Sequence, residues 1–183
     1  MSGRETAMLL LGIQALIGAF DTLYFHEWKA RLPALGAAAR SELRLHWIRS
    51  MIYAFLFALI PWWEPQGLWA GLVLILLLTE IGITVADFIV EDTVRAPLGG
   101  VFAGERATHT IMAILHGAIL AFWVPVLWEA FAAPTAWLWQ PAAMPRWFCW
   151  AFVLLSAGVF GSGWRDFYAS TGRRGSHWPW PRA

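Results

Sequence analysis

Acidic and histidine side chains recur at helical spacing inside apolar stretches of this sequence. Two sets of three residues each share one stripe of an α-helix: Glu80, Asp87 and Glu91, and Glu105, His109 and His116. An ionisable side chain inside a membrane helix costs at least about 2.5–3.5 kcal/mol, so such residues persist where they pair, line a cavity or bind a ligand. The two stripes are therefore the first candidates for a functional site.

Two further stretches bring histidines to the same region. His46, Ser50 and Tyr53 follow one another at steps that keep them on one helical face. Asp21 and His26 close the first apolar stretch, where an α-helical period puts them on different faces. We expect His26 and His46 to lie at a similar depth near one membrane surface.

The connection centred near Leu98 makes the two acid-rich helices antiparallel neighbours. In two antiparallel helices, a residue of one helix and a residue of the other that lie at equal depth have residue numbers with a constant sum. The sequence thus predicts three layers, which pair Glu80 with His116, Asp87 with His109, and Glu91 with Glu105.

Carboxylate and imidazole ligands suit iron, manganese and zinc, and four-helix bundles with inward Glu and His residues hold di-iron and di-manganese centres. The predicted metal ligands are Glu80, Asp87, His109 and His116 in the inner shell, completed by His26, His46, Glu91 and Glu105. They are sufficient for two metal ions, with iron the first candidate and manganese or zinc the alternatives. Ferritin-like sites use Glu-x-x-His twice, and because this spacing is absent here we infer no relationship to that family.

The function predicted from this set is a metal-dependent membrane oxidoreductase that acts on a hydrophobic substrate. Tyr53 is a candidate catalytic residue, as a hydrogen-bonding or radical-forming neighbour of the metal, and Asp21 is a second candidate. The chain could equally be a non-catalytic subunit of a larger membrane complex that binds haem or a pigment. His46 and His109, from two helices, could then be axial haem ligands.

Two other interpretations stay open at this stage. Arginines near the same membrane surface could pair with the outer acids Glu91, Asp92 and Glu105 in a structural ion-pair network: Arg49, Arg95, Arg106 and Arg165. A transporter could instead move protons or ions along Glu80, Asp87, His109 and His116.

The elements that must position these residues are membrane helices. The chain has 183 residues, of which 59% are hydrophobic and 14% charged, against about 25% charged in soluble domains. A span needs about 20 mostly apolar residues. Five stretches qualify: Ala7–Phe25, His46–Trp63, Gly67–Val90, Ala107–Phe131 and Trp147–Tyr168. The sequence thus predicts an all-α polytopic protein whose helices 1 to 4 form a bundle around the polar site, with helix 5 outside it.

Connections and orientation follow from local signals. Glu64–Gly67 reads as a tight turn, and the prolines Pro134, Pro141 and Pro145 mark a loop before the fifth helix. Eleven of the thirteen Lys and Arg residues fall on one side of this arrangement, which the positive-inside rule makes cytoplasmic. We therefore expect one transmembrane domain over residues 1–171 with its N-terminus outside, and a cytoplasmic tail over residues 172–183.

Composition excludes other classes. The net charge of +1 argues against a nucleic-acid partner, and the single cysteine, Cys149, excludes an internal disulfide or a multi-cysteine metal site. No His-Glu-x-x-His motif of a zinc protease and no cleavable signal peptide are evident. The expected partners are the lipid bilayer, a hydrophobic small molecule and other subunits of a membrane complex.

Several segments resemble a group of small bacterial inner-membrane proteins without an assigned function. The similar segments are Asp87–Pro97, Glu105–Thr110, Tyr24–Glu27 and Leu45–His46, so the resemblance covers roughly helices 1 to 4. It implies location in the bacterial inner membrane and carries over no activity.

Overall fold

The computed structural model describes residues 1–181, and most of them are helical. Five long helices form the body: α1 Gly3–Phe20, α3 Arg40–Leu59, α4 Leu68–Arg95, α5 Ala103–Phe131 and α6 Arg146–Ser170. A π-helical segment, Asp21–Lys29, continues α1, and a short α2, Leu32–Leu35, lies in the loop before α3. Arg182, which was counted among the basic residues of one side, lies outside the described residues.

Within these residues, four helical stretches are long and apolar enough to cross a membrane: Gly3–Lys29, Leu68–Leu98, Ala103–Phe131 and Arg146–Ser170. The prediction of a helical membrane protein is confirmed to this extent. The sequence predicted five such helices, and α3 is the one that does not qualify. Its first half carries Arg40, Glu42, Arg44 and Arg49, which lower its hydropathy.

The helices begin earlier or end later than their apolar stretches predict. α1 starts at Gly3 because Ser2 caps it, with the Ser2 amide 2.6 Å from Glu5 Oε2 in a capping box. α3 starts at Arg40, before the predicted His46, but it also ends at Leu59, before the predicted Trp63, whereas α4 runs on to Arg95. The charged turns at these ends remain helical because buried ion pairs stabilise them. A prediction from the length of an apolar stretch does not detect such ion pairs.

The predicted tight turn at Glu64–Gly67 is wrong. Trp63–Gln66 instead forms strand β1, which pairs antiparallel with β2, Ala136–Trp139, in the loop before α6. Gly67 then starts α4 with a φ of +55°, and a Cβ atom there would lie 2.6 Å from Thr135 Cα. Glycine is required at this position because both the backbone and the space exclude a side chain.

The bundle has two distinct ends, and α3 connects them. At one end, Arg4 donates hydrogen bonds to the carbonyl oxygens of Ile60 (2.7 Å) and Gln140 (3.0 Å), close to the β1–β2 pair. At the other end, Arg40 donates to the carbonyl of Ser170 at 3.2 Å. Since α3 begins at the second end and finishes at the first, it runs the length of the helices beside it.

Apolar packing fills the half of the bundle on the Arg4 side. Its buried core contains residues of all five long helices, among them Leu11, Leu56, Leu77, Trp123 and Phe152. The outer surface is also apolar, with Leu16, Ile75 and Leu154 more than 60% exposed. Exposed apolar surface of this extent is typical of contact with lipid.

Candidate functional site

The other half of the bundle contains a network of ionisable side chains from the π-helical segment, α3, α4 and α5. It comprises twelve residues: Asp21, His26, Glu42, His46, Arg49, Glu80, Asp87, Glu91, Arg95, Glu105, His109 and His116. All are buried except Arg49, which is partly exposed. We call these residues the polar network. Side chains of this kind are almost never buried without partners, so their contacts decide what they can do.

The π-helical segment positions Asp21 and His26. Hydrogen bonds from residue i to i+5 in a π-helix make residues five apart neighbours, and His26 Nε2 lies 3.2 Å from Asp21 Oδ2. An α-helical period had placed these two residues on different faces, and that expectation is wrong because the segment is not α-helical. π-Helical turns are rare and occur frequently at functional sites.

Among the described residues, Asp21, His26 and His109 bring three ligand-type atoms together. One atom from each lies within 4.8 Å of the other two, and His109 Nε2 is 3.2 Å from Asp21 Oδ2. Glu105 Oε1 lies 3.2 Å from His26 Nε2, and Glu91 Oε2 lies 3.5 Å from His109 Nδ1. We call these five residues the Asp21 cluster.

Several buried polar atoms of the Asp21 cluster have no hydrogen-bond partner in suitable geometry. They are His26 Nε2, His109 Nδ1 and Glu105 Oε2. An unsatisfied buried polar atom costs about 1–3 kcal/mol and calls for an explanation such as an ion. Thr108 Oγ1, in contrast, donates to Asp21 Oδ1 at 2.6 Å and so fixes the orientation of that carboxylate.

The distances also fit a metal ion. Nitrogen and oxygen ligands about 2.1 Å from a tetrahedral ion are about 3.4 Å apart. The contacts of Asp21 with His26 and with His109 are both 3.2 Å. Two of the three distances in this group are therefore compatible with ligands of one ion.

Arg95 closes the cluster toward the end of α4. Its guanidinium lies 2.7 Å from Glu42 Oε1 and 2.8 Å from Glu105 Oε1, and all three side chains are fully buried. The predicted pairing of an arginine with Glu105 is confirmed. Glu42 was not predicted, although it precedes His46 by one helical turn, a spacing that could have revealed it.

A second group surrounds Arg49 and is named the Arg49 cluster: Arg49, His46, Glu80, Asp87 and His116. Arg49 lies 3.1 Å from Asp87 Oδ2 and 3.5 Å from Glu80 Oε1. His46 Nε2 is 3.4 Å from Asp87, and His116 Nε2 is 3.2 Å from Glu80. No arginine is near Glu80 or Asp87 in the sequence of α4, and it is α3 that brings Arg49 to both.

Tyr53 extends the polar contacts toward the middle of the bundle. Its hydroxyl accepts a 2.7 Å hydrogen bond from Gln14 Nε2 and lies 3.5 Å from His116 Nδ1. Gln14 was not predicted, although it precedes Asp21 by seven residues and so shares its helical stripe. Asp166 of α6 is a further buried acid that the sequence interpretation missed.

The pairing that was expected from equal depth in the membrane is found for some residues and not for others. Glu80 contacts His116 as predicted, and His26 and His46, which were expected at a similar depth, have rings whose centroids lie 4.6 Å apart. Asp87 does not pair with His109 as expected: Asp87 contacts His46 and Arg49, while His109 contacts Asp21 and Glu91. Thus the four predicted inner-shell ligands are divided between the two clusters.

Charge divides unequally between the clusters. If the imidazoles are neutral, Arg95 is the single cation beside four carboxylates, which are those of Asp21, Glu42, Glu91 and Glu105. This leaves an excess of three negative charges around the Asp21 cluster. Glu80 and Asp87 face Arg49, which leaves an excess of one. Buried charge must be compensated by a cation or by protons, so the Asp21 cluster has the greater demand.

Comparisons of the chain with known protein families, with curated proteins and with solved structures find no match. The functional argument therefore depends on the geometry and charge of the two clusters.

Proposed function

We propose that the Asp21 cluster binds one divalent transition metal, with iron favoured over manganese and zinc, and that the chain is a membrane oxidoreductase. The observation that carries this proposal is the convergence of Asp21, His26 and His109, of which one ligand-type atom each lies within 4.8 Å of the other two. Imidazole and carboxylate together suit these metals. A divalent ion would also offset most of the negative charge of the cluster.

The ligands follow from the contacts. Asp21, His26 and His109 are the primary ligands, and Glu105 and Glu91 are within reach of the same ion. Thr108 orients Asp21, and the His109 ring stacks on Phe88 at 5.5 Å. Residues that orient the ligands in this way hold a site ready for its metal.

A single ion is favoured over the pair that the sequence suggested. The guanidinium of Arg49 already serves as the cation between Glu80 and Asp87. A second metal in the Arg49 cluster would bring two like charges together in a buried site. Glu80, Asp87, His46 and His116 are therefore assigned to proton exchange instead of metal binding.

An oxidoreductase is the enzyme class that uses both clusters. Iron supplies one-electron chemistry, and a hydrophobic substrate in the bilayer needs protons to accompany those electrons. The stacked rings of His26 and His46 join the two clusters, and His116 connects the Arg49 cluster to Tyr53. Tyr53 is thus the candidate residue for hydrogen transfer.

The proposed membrane arrangement has five spans, with α3 as the fifth. α3 joins the two ends of the bundle and is about 30 Å long at 1.5 Å per residue, which matches the hydrocarbon core. Five spans put the termini on opposite sides. The end that carries Lys29, Arg31 and Arg40 is then cytoplasmic by the positive-inside rule, in a bacterial inner membrane.

Proton conduction is the second candidate function. The observation that favours it is a series of polar contacts from Gln14 and Tyr53 through both clusters to Glu42, in which the stacked rings of His26 and His46 join one cluster to the other. The haem-binding alternative is less well supported. The ring of His26 contacts both His46, at 4.6 Å, and His109, at 6.1 Å, so it lies where a macrocycle between those two residues would have to fit.

Elemental analysis of detergent-purified protein tests the proposal. We expect about one equivalent of iron in the wild type and its loss in His109→Ala, because three protein ligands are needed for a stable site. His116→Ala and the tail variant His177→Ala should keep the metal, which makes them matched controls. Equal metal content in all four proteins, or none in any after iron supplementation, would contradict metal binding. A metal-free protein that carries a proton flux in liposomes would establish the second candidate.

A further inference from the structure

A cavity of about 470 Å³ opens at the basic end of the bundle, where the π-helical segment leads into α2. Its walls include Trp28, Lys29, Arg31, Leu35 and Leu98. Ligand sites in proteins commonly have volumes of about 300–1,000 Å³. Neither the Asp21 cluster nor the Arg49 cluster contributes to these walls, so the cavity is separate from the proposed metal site.

Two cations line this cavity, Lys29 and Arg31. Throughout the described part of the chain, no carboxylate lies within 4.0 Å of Lys29 or Arg31. Instead, the Lys29 ammonium lies 5.7 Å from the ring centre of Tyr24, and the Arg31 guanidinium lies 4.8 Å from that of Trp180. Aromatic rings hold these cations without neutralising them, which leaves both charges available for an anion.

The backbone contributes to the position of Arg31. This residue adopts the left-handed conformation, with φ of 51° and ψ of 45°, which is uncommon for residues other than glycine. A residue stays in such a conformation where its surroundings fix it. Here the conformation ends the π-helical segment and sets the guanidinium at the cavity.

We propose that this cavity binds the phosphate headgroup of an anionic phospholipid. Lys29 and Arg31 contact the phosphate, while Trp28, which is 67% exposed, and Leu98 lie beside the acyl chains. The cavity is located where the first membrane helix ends, the depth at which headgroups lie. Anionic lipids are attracted to basic residues at the cytoplasmic surface, where this end of the bundle lies in the proposed arrangement. The assignment requires no metal in the protein.

Lipid-dependent thermal stability in detergent micelles tests the assignment. We expect phosphatidylglycerol to raise the unfolding temperature of the wild type, and phosphatidylcholine or inorganic phosphate at equal concentration to leave it unchanged. The lipid concentration that gives half of this rise should increase about fivefold for each cation removed, in Lys29→Gln and in Arg31→Asn. Asparagine is chosen because it tolerates the left-handed conformation.

Arg44→Gln is the matched control, because Arg44 is an exposed arginine of α3 outside the cavity. It should respond to phosphatidylglycerol as the wild type does. The assignment would be overturned if Lys29→Gln and Arg31→Asn responded to phosphatidylglycerol as the wild type does. It would also be overturned if inorganic phosphate raised the unfolding temperature of the wild type as much as phosphatidylglycerol, which would identify a free anion as the ligand. Each single variant is informative by itself, so the failure of one to fold leaves the test intact.

Discussion

His26 Nε2 lies 3.2 Å from Asp21 Oδ2 because the segment between them is a π-helix. The same Asp21 oxygen is 3.2 Å from His109 of α5. One carboxylate oxygen therefore joins the end of the first membrane helix to the fourth long helix. Asp21 is thus the central residue of the cluster, and its substitution is the most direct test of metal binding.

Asp21→Asn should weaken metal binding by at least about tenfold, because it removes the charge of the central ligand while keeping its shape. Titration with cobalt(II), followed by its visible absorbance, measures this affinity. Asp92→Asn is the control, because Asp92 is exposed on α4. Retention of wild-type affinity in Asp21→Asn would remove Asp21 from the ligand set.

Arg95→Met should lower the free energy of unfolding by about 3–5 kcal/mol, because it leaves Glu42 and Glu105 buried without their cation. Equilibrium unfolding in mixed micelles measures the loss. Arg44→Met, an exposed change on α3, should have little effect. The double variant Arg95→Met with Glu42→Gln should be less destabilised than the sum of the two single variants. Strict additivity would mean that the pair is not coupled.

Labelling with a membrane-impermeant maleimide checks the proposed orientation in a Cys149→Ala background. Ala143→Cys, in the loop after β2, should react in intact cells, because that end of the bundle faces outward in the proposed arrangement. Arg174→Cys, after α6, should react only once the membrane is permeabilised. Equal reaction of both positions in intact cells would contradict the arrangement with five spans.

Membrane character could be predicted from composition, because the four qualifying helices are continuous apolar runs that need no partner to be recognised. α3 is different. In its charged first half, Glu42 contacts Arg95 and Arg49 contacts Asp87 of α4, and a hydropathy criterion has no access to such contacts. The length of this helix was therefore underestimated at its charged end.

The residues of the two clusters were predictable, whereas the buried residues Glu42, Gln14 and Asp166 were not, and the partners within the clusters were predicted only in part. The pairing of Glu80 with His116 followed from two regular antiparallel helices. The expected pairing of Asp87 with His109 is not found because other elements supply partners for both residues. The π-helical segment places Asp21 against His109, and α3 places His46 and Arg49 against Asp87. A π-helical segment of nine residues has no clear sequence signature.

The strand pair was also missed, for a local reason. Glu64-Pro65-Gln66-Gly67 has the composition of a turn, and proline usually excludes a strand. Pro65 is tolerated in β1 because each strand of a two-stranded sheet is an edge strand. The partner, β2, is far away in sequence, so its pairing depends on the two loops reaching the same end of the bundle.

The short connection between α4 and α5 has a consequence for biogenesis. Taken alone, each helix would bring ionisable groups into hydrocarbon at about 2.5–3.5 kcal/mol apiece. Because the connection is short, the two helices leave the ribosome almost together, and Glu80 can meet His116 while both are entering the bilayer. Insertion of the two helices as one hairpin would keep Glu80 and His116 paired in the bilayer. Loss of either partner should consequently reduce the yield of inserted protein before any effect on the mature fold is felt.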